Sequence, residues 1–394
     1  MNILITVHSY YPNHDGVQFV TQYLAEGLAK KNHKVTVVTN MYKDRTDLKN
    51  EIHNNVNIIR VDVGTKHTIH YGNKKKYIKL IKELSNNNDV MINVCTQCAT
   101  TDFILNELDE IKIPKILYLH SIWDFKYKKE NFISLKSLIS KIWCNIRWKF
   151  YYWRNGNNFK KYDVITQLHE MDYANSFFKK KYSINSVIIE NAAEKSFFEQ
   201  EIDENIDLPK KYLLNVSNFL KRKNQLKCLN LFLNSNIPED WELVLIGSRE
   251  NNYSKLLEKR YMEYKKKNSK NNKKVHILYN VPRKNIYTYV KKASIYLMTS
   301  KWEAFPISLI ECMASKVPFV SSDVGIVKFL SGGVTCNGDE EYLFWLNEFI
   351  SNEEKRLAYG KMGFLEARQR FSIDEKVNQL EIIIKKSIRG EKNE

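Results

Sequence analysis

The sequence predicts an α/β protein built from two doubly wound domains. Short β-rich runs alternate with helical stretches from the first residue, an order typical of a parallel sheet with helices on its faces. The length of 394 residues exceeds what one ordinary hydrophobic core organises, which favours two domains. Apolar residues make up 43% of the chain, enough for two packed interiors.

The predicted strands fall into two series along the chain. In the first half they are Ile3–Val7, Val35–Thr39, Val56–Val61, Val90–Val94, Lys115–His120, Val164–Thr166 and Val187–Glu190. Between the first two lies GVQFVTQYLAEGLAKKN (16–32), whose apolar positions recur at helical spacing. The second series comprises Tyr212–Val216, Leu243–Ile246, Val275–Leu278, Ile295–Met298 and Pro318–Ser322.

A polar and acidic segment separates the two series. The stretch AAEKSFFEQEIDENIDLPKK (192–211) has no strand pattern and contains a proline near its end, so we interpret it as a linker. The sequence therefore predicts an N-terminal domain over 1–190 and a C-terminal domain over 191–371.

The net charge of the chain indicates which kinds of partner it could bind. A formal charge of +17 favours anionic partners, which include nucleic acid, acidic lipid and phosphorylated substrates. We expect no nucleic-acid partner, because no nucleic-acid motif with interleaved aromatic residues is present. The chain has no run of about 18 apolar residues and its N-terminus resembles a strand, so we expect a cytoplasmic protein without a transmembrane helix or signal peptide.

The six cysteines are scattered, and one pair, Cys95 and Cys98, has C-x-x-C spacing. No second pair stands at zinc-site spacing, so we expect free thiols in a reducing compartment and no metal site.

Two carboxylates, Glu303 and Glu311, stand in SKWEAFPISLIECMASKVPFV (300–320). Pro306 suits the first turn of a helix that continues to Ala314, which places Glu303 in the preceding loop and Glu311 inside the helix. The strand Ile295–Met298 comes just before, so the helix N-terminus lies at the carboxyl edge of a sheet, where α/β proteins bind ligands. Free amides there favour a phosphate, and carboxylates accept hydrogen bonds from sugar hydroxyls. The pattern indicates a nucleotide-sugar site; an ordinary helix with surface glutamates is the alternative.

The same stretch resembles the donor-site signature of glycosyltransferase family 4, which has the GT-B fold. The family pattern E-x-F-P/G-x-x-x-x-E is matched by Glu303, Phe305, Pro306 and Glu311, and Val317-Pro318-Phe319-Val320 and Gly325 follow. The resemblance implies that Glu303 contacts the donor sugar and Glu311 the ribose hydroxyls. It also implies that the backbone of Ile307, Ser308 and Leu309 meets the diphosphate.

Further matches lie in the first half of the chain. In HSYYPNHDGVQFV, Gly16 stands at the second of two family glycines, beside the donor, and Asp15 replaces the first. His120, in PKILYLHSIWD, matches a family histidine that faces the donor sugar. Asp163 and Asn191 match positions that we interpret as architectural.

The loop after the linker, LLNVSNFLKRKNQ, departs from the family pattern. Lys223 stands at the position of a lysine that binds the diphosphate, whereas Asn218 replaces the family arginine. Lys221 or Arg222 could supply the missing charge, and a solvated basic loop is the alternative. Gly247, in LVLIGSRE, falls near the nucleotide base by the same resemblance.

The resemblance implies two Rossmann-like domains facing a cleft, with a C-terminal helix over about 372–389 crossing back to the N-terminal domain. Residues 1–190 with that helix would bind the acceptor, and residues 191–371 the nucleotide-sugar donor. The implied activity is retaining, hexosyltransferase-like transfer to a glycan or polyprenyl-linked hydroxyl in bacterial surface polysaccharide synthesis. A UDP-sugar is favoured over a GDP-sugar as donor, without a cofactor. No D-x-D motif is present, so metal-independent transfer is expected. The alternatives are another enzyme on this fold and a non-catalytic GT-B-like partner subunit or binding module.

The segment 125–155 is basic and rich in apolar residues, with eight Lys or Arg against one Glu. Its apolar residues at helical spacing are Phe132, Leu135, Leu138, Ile139, Ile142, Trp143 and Ile146. Its interspersed cations include Lys136, Lys141, Arg147, Lys149 and Arg154. Such a helix can lie on an anionic membrane surface, which predicts a peripheral location at the inner face of the cell membrane. The alternative is that the apolar stripe packs on the domain core.

Overall fold

The computed structural model describes residues 1–12, 16–41, 50–66, 68–127, 129–199, 201–268 and 272–391. Asp15 and Lys128 therefore lie outside the described residues. The chain divides into two compact units, Met1–Glu190 with Val377–Glu394, and Asn191–Lys376.

The first unit is built on one extended sheet with the strand order β10-β9-β8-β7-β1-β2-β4-β3. Its pairs are parallel except that β3 runs antiparallel to β4, and β5 and β6 form a separate antiparallel hairpin. The strands are β1 (Asn2–Val7), β2 (Lys34–Asn40), β3 (Asn50–His53), β4 (Val56–Val61), β5 (Val63–Lys66), β6 (Ile69–Gly72), β7 (Val90–Val94), β8 (Lys115–Tyr118), β9 (Val164–Gln167) and β10 (Val187–Ile188). Every residue of β7, VMINV, is buried, as expected for a central parallel strand covered on both faces.

Helices connect these strands, as parallel pairing requires. They are α1 (Gly16–Lys30), α2 (Lys74–Ser85), α3 (Ala99–Asp102), α4 (Leu135–Arg154), α5 (Gly156–Phe159) and α6 (Tyr173–Tyr182), with 3-10 turns at Leu105–Glu107 and Lys129–Phe132. Ser134 precedes α4, and its side chain accepts a hydrogen bond from the Ser137 amide, which caps the helix.

The second unit has a parallel sheet with the order β13-β12-β11-β14-β15-β16. The strands are β11 (Tyr212–Val216), β12 (Glu242–Gly247), β13 (Val275–Tyr279), β14 (Ile295–Met298), β15 (Phe319–Ser322) and β16 (Gly333–Cys336). The helices are α7 (Lys195–Phe198), α8 (Gln225–Asn234), α9 (Asn252–Lys267), α10 (Arg283–Lys291), α11 (Ile307–Ala314), α12 (Asp339–Ser351), α13 (Glu353–Arg370) and α14 (Ile373–Ile388), with a 3-10 turn at Val327–Phe329.

Most of α14 belongs to the first unit, where it packs on α1. Val377 occupies the space beside Gly27, since a Cβ on that glycine would lie 2.4 Å from Val377 Cγ2. Glu381 accepts hydrogen bonds from Lys31 Nζ at 2.6 Å and from His33 Nε2 at 3.1 Å. Hydrogen bonds from Lys31 and Lys385 lower the pKa of Glu381 to about 2. The C-terminal helix is thus anchored by both close packing and charge.

Several strands differ from the sequence prediction, most of them by one residue at an end. The strand predicted over Lys115–His120 ends at Tyr118, and the one predicted over Val187–Glu190 ends at Ile188. The prediction missed β3, β5, β6 and β16, which are four-residue strands with few fully buried side chains and hence little apolar alternation.

The segment 192–211 is also more than a linker. Ala192 and Ala193 are fully buried, and Phe197 of α7 is buried in the second unit. The polar composition of the segment concealed these apolar anchors.

The six cysteines are free thiols, as the sequence predicted. Within the described residues, no helix is both long enough and apolar enough to cross a membrane.

Candidate functional site

The candidate site lies at the carboxyl edge of the second sheet, where the chain reverses its direction of crossover. Strand β11 has β12 on one side and β14 on the other, so the β11–β14 boundary is the topological switch point of the sheet. Open α/β sheets bind ligands at such a point, because the loops that follow the two strands diverge and leave a crevice. Here those loops are residues 217–224 and 299–306.

The two loops are joined directly. The Lys301 amide donates to the Arg222 carbonyl at 2.8 Å, and Thr299 Oγ1 donates to the Asn224 carbonyl at 2.8 Å. Asn224 has a left-handed backbone, with φ of 56°, which asparagine tolerates better than most residues.

Lys223 and Glu303 form the first charged pair of the site. Lys223 Nζ donates to Glu303 Oε1 at 2.6 Å, and Arg222 NH1 lies 4.0 Å from Glu303 Oε2. Glu303 is 7% exposed, so its charge is compensated mainly by these cations rather than by water. Arg222 is therefore better placed than Lys221 to supply the charge that Asn218 lacks.

The N-terminus of α11 differs slightly from the prediction. Pro306 lies just before the helix, which begins at Ile307, and not in its first turn. The Leu309 amide donates to the Pro306 carbonyl at 3.2 Å, so that amide is engaged and is not free for a diphosphate. The amides of Ile307 and Ser308 lie at the very start of the helix, where amides have no acceptor within the helix. They are therefore suited to bind an anion. The Ser308 hydroxyl accepts from Tyr296 at 2.7 Å, which orients this turn.

Glu311 belongs to a second charged group that the sequence reasoning missed. Arg283, at the start of α10, donates to Glu311 Oε1 and, through Nε at 2.7 Å, to Glu194 Oε1. Tyr287 donates to Glu194 Oε2 at 2.6 Å. Burial by itself would lower the pKa of Arg283. The negative charges of Glu311 and Glu194 outweigh burial and raise this pKa above its ordinary value, so Arg283 stays a cation. A positive charge near a helix N-terminus is unfavourable because the helix dipole is also positive there. The position of Arg283 in the first turn of α10 is thus a feature by which the sequence could have identified it.

Three residues fix the loop between the glutamates. Asn191 donates to the Phe305 carbonyl at 2.9 Å, which agrees with its interpretation as architectural. The Phe305 ring is buried and lies 5.6 Å from the Phe371 ring, so this residue can offer a ligand little beyond its backbone. Gly325 has φ of 57°, and a Cβ there would lie 2.3 Å from the Ala304 carbonyl oxygen. Only glycine permits this approach.

Gly247 ends β12 at the same edge of the sheet. A Cβ there would lie 2.3 Å from the ring of Phe219, and that ring packs on Tyr279 at 5.5 Å. Glycine therefore lets an aromatic ring close over the strand end.

Two predicted site residues, Gly16 and His120, belong to the first unit. Gly16 begins α1 after β1. His120 lies two residues beyond β8, with its ring 5.3 Å from that of Tyr118. Burial lowers the pKa of His120 to about 4, so the imidazole is neutral at neutral pH. No described residue offers its buried Nε2 a hydrogen-bond partner.

The structure thus brings Lys223, Glu303, the start of α11 and Glu311 together at one sheet edge. Gly16 and His120 are positioned by the first unit, and Asp163 there accepts from the Lys115 amide at 2.7 Å, an architectural contact. Among the described residues, no group of three His, Cys, Asp or Glu side chains could hold a metal ion.

Residues 196–361 match the sequence model of the family described as "Glycosyl transferases group 1". No curated protein matches the chain by sequence.

Solved structures resemble the chain over almost its whole length. Sucrose-phosphate synthase from Thermosynechococcus elongatus shares 14% identity over 99% of both chains, with a TM-score of 0.75. A glycosyltransferase from Rickettsia africae shares 15% over 98% of both, with a TM-score of 0.74. Anabaena HepE, solved in complex with UDP-glucose, shares 13% over 98% of this chain and 99% of that chain, with a TM-score of 0.68. At these identities the likeness establishes the fold, which is GT-B with two Rossmann-like domains, as the sequence predicted.

Proposed function

We propose that the protein is a retaining glycosyltransferase that moves a sugar from a nucleotide diphosphate sugar to an acceptor hydroxyl. One observation carries the proposal. The start of α11, at the switch point of the second sheet, lies between two buried carboxylates, each paired with a cation. The glycosyltransferase group 1 match over 196–361 contains both carboxylates.

The second unit has suitable groups for each part of the donor. The diphosphate would lie at the amides of Ile307 and Ser308, where helix geometry favours an anion, with Lys223 and Arg222 nearby. Glu311 has one oxygen bound to Arg283, so the other can accept from the ribose hydroxyls. Glu303 would accept from the sugar, and the base would lie at Gly247.

Charge stabilisation would supply most of the catalysis. Negative charge develops on the leaving diphosphate, and prearranged amides and cations lower the energy of that state. Lys223 donates to Glu303, so a bound diphosphate would share this cation with that carboxylate. No residue of the site is placed as a covalent nucleophile in this proposal, so we infer displacement on one face of the sugar, with retention of configuration.

His120 would be the contribution of the first unit to the donor sugar. Its imidazole is neutral at neutral pH, so it would meet the sugar as an uncharged group. Gly16, at the start of α1, would allow close backbone approach to the same ligand.

We infer that the donor is a hexose linked to UDP and that transfer needs no metal or cofactor. The UDP-glucose complex of HepE supports the choice of nucleotide, and the missing D-x-D motif supports metal independence. The acceptor would be a glycan or a polyprenyl-linked glycan bound by residues 1–190 with the C-terminal helix, in bacterial surface polysaccharide synthesis. The enzyme would act in the cytoplasm, peripherally at the inner face of the cell membrane.

A non-catalytic GT-B subunit is the second candidate, and Asn218 in place of the family arginine favours it. A panel of UDP- and GDP-sugars tests both, because a tightly bound ligand raises the melting temperature. We expect a shift with one UDP-sugar, and release of UDP from it by the purified protein. Binding without release or transfer would favour the subunit, and no shift with any nucleotide would refute the donor site.

A further inference from the structure

Helix α4 turns an apolar face away from the body of the first unit. Its exposed large apolar residues are Leu135, Ile139, Ile142, Trp143, Ile146, Phe150 and Trp153. At about 100° per residue, these seven side chains occupy an arc of roughly 100° on the helix. Phe132 and Ile133, just before the helix, are 63% and 78% exposed and extend the same surface. We call these nine residues the α4 face.

The opposite side of α4 attaches the helix to the unit. Asn145, Trp148 and Tyr152 are buried. Trp123 Nε1 donates to Asn145 Oδ1 at 2.8 Å, and the Tyr182 hydroxyl donates to the Tyr152 carbonyl at 2.5 Å. The core-packing alternative is therefore wrong for most of the predicted stripe, because the core contacts the other side of the helix.

The cations of α4 divide into two groups. Lys141 donates to the Asp124 carbonyl and lies 4.4 Å from the centre of the Trp123 ring, and Arg147 donates to the Thr68 carbonyl. These two secure the helix, which corrects their predicted role as membrane contacts. Lys136, Lys149 and Arg154 are exposed. On the helical arc Lys149 borders one edge of the α4 face, and Lys136 and Arg154 border the other.

We propose that the α4 face docks on an anionic lipid surface. The helix would lie in the plane of the interface, with its apolar arc at the acyl boundary and the three exposed cations among the headgroups. This inference deepens the peripheral localisation proposed above, and it does not depend on the donor site.

Charge complementarity favours lipid over a second copy of the chain. Residues 131–161 contain no Asp or Glu. Two copies meeting through the α4 face would therefore bring like-charged borders together without acidic partners on that segment. An anionic bilayer supplies the opposite charge along both borders at once.

Vesicle sedimentation tests the proposal with two matched pairs of variants. I139S/I146S/W153S removes three residues of the α4 face, and L357S/M362S/L365S removes three apolar residues of α13 that are also exposed. K136Q/K149Q/R154Q removes the bordering cations, and K259Q/K266Q/K267Q removes three exposed lysines of α9. The wild type and all variants are mixed with phosphatidylcholine vesicles with and without phosphatidylglycerol, at low and high salt.

We expect the wild type to sediment with the anionic vesicles and to bind less at high salt. The K136Q/K149Q/R154Q variant should lose about 100-fold in affinity, given the contribution of each cation at an anionic surface. The I139S/I146S/W153S variant should lose binding, and both control variants should bind as the wild type does. Thermal unfolding and the melting shift with UDP, measured on every variant, report on the fold and the donor site separately.

Three outcomes would overturn the proposal. The first is wild-type protein that stays in the supernatant with anionic vesicles at low salt. The second is equal loss of binding in the control variants, because the effect would then be independent of α4. The third is a dimer in sedimentation velocity without lipid that I139S/I146S/W153S dissociates, since the occupant would then be a second copy of the chain.

Discussion

Arg283 binds Glu311 inside the second unit, 28 positions away in the sequence. The same guanidinium also donates to Glu194, so one cation binds two carboxylates. These contacts fix the orientation of both carboxylates. Glu311 is 3% exposed and would be costly as an unpaired charge. We infer that Arg283 holds the Glu311 carboxylate in one orientation, which makes it a positioning residue for the ribose.

Replacing Arg283 with Met should weaken binding of UDP about 10- to 100-fold, because the charge-assisted hydrogen bond that orients Glu311 is lost. Binding of 2′,3′-dideoxy-UDP should be almost unchanged by the same substitution, since that ligand has no ribose hydroxyls for Glu311 to accept. Calorimetric titration of both ligands into wild type and variant measures the difference. Arg283→Lys, which keeps the charge, should restore part of the UDP affinity.

Two failures of that experiment have different meanings. If the wild type binds UDP and the dideoxy ligand equally, Glu311 does not contact the ribose. If both the wild type and Arg283→Met bind UDP more tightly than the dideoxy ligand, Glu311 contacts the ribose but Arg283 does not position it.

Glu311→Ala should reduce donor affinity, whereas Glu303→Ala should reduce mainly turnover. Each change removes a hydrogen bond to a charged group, for which a loss of about 1.5–3 kcal/mol is expected. Steady-state kinetics with the identified donor and acceptor separate KM from kcat. Wild-type kinetics in both variants would show that the two glutamates are not the donor site.

Transfer should continue in the presence of EDTA. Lys223 and the amides of Ile307 and Ser308 would neutralise the diphosphate in place of a divalent cation. Initial rates are compared with and without chelator, after dialysis against it. Activity that disappears and returns with magnesium or manganese would contradict this expectation.

His120 should make the folded protein sensitive to acid. Its pKa falls from 6.5 to about 4 on burial, so between these values the unfolded chain binds a proton that the folded chain excludes. Stability is therefore lost as the pH falls through this window, by roughly 3 kcal/mol for the whole shift.

Denaturant titration at several pH values from 7 to 4 measures this effect. The wild type should lose stability more steeply than His120→Asn, because the two proteins share every other titrating group. Parallel pH profiles for the two proteins would mean that His120 is not buried as a neutral imidazole.

Glu381→Gln should destabilise the first unit at neutral pH. The folded pKa of Glu381 is about 2, below the ordinary 4.5, so its contribution is complete above pH 4.5 and is lost as the pH falls toward 2. We expect a loss of about 1–2 kcal/mol, allowing for screening of this partly solvated group. Chemical unfolding at pH 7 and pH 2.5 measures it, with the exposed Glu354→Gln as control. An equal loss at both pH values would indicate a steric rather than an electrostatic cause.

Much of the fold could be predicted because periodicity is a local property. Val56–Val61, Val90–Val94, Tyr212–Val216 and Ile295–Met298 were predicted with the bounds that the structure has. Strand β3 and the β5–β6 hairpin were missed, since half-buried edge strands lack a strong apolar pattern. The end of β8 before His120 was missed because hydrogen bonding, rather than composition, ends a strand.

By itself the sequence determined the alternation of strands and helices, and it placed Glu303 and Glu311 on either side of a helix start, because both follow from residues close in the chain. Only the tertiary structure decided that Lys223 meets Glu303 across 80 positions, and that Arg283 engages Glu311. It also decided that α4 presents its apolar arc outward. Spacing specifies which side chains share a face of a helix, but a neighbouring element must cover that face before it becomes core, and that neighbour is set by long-range packing.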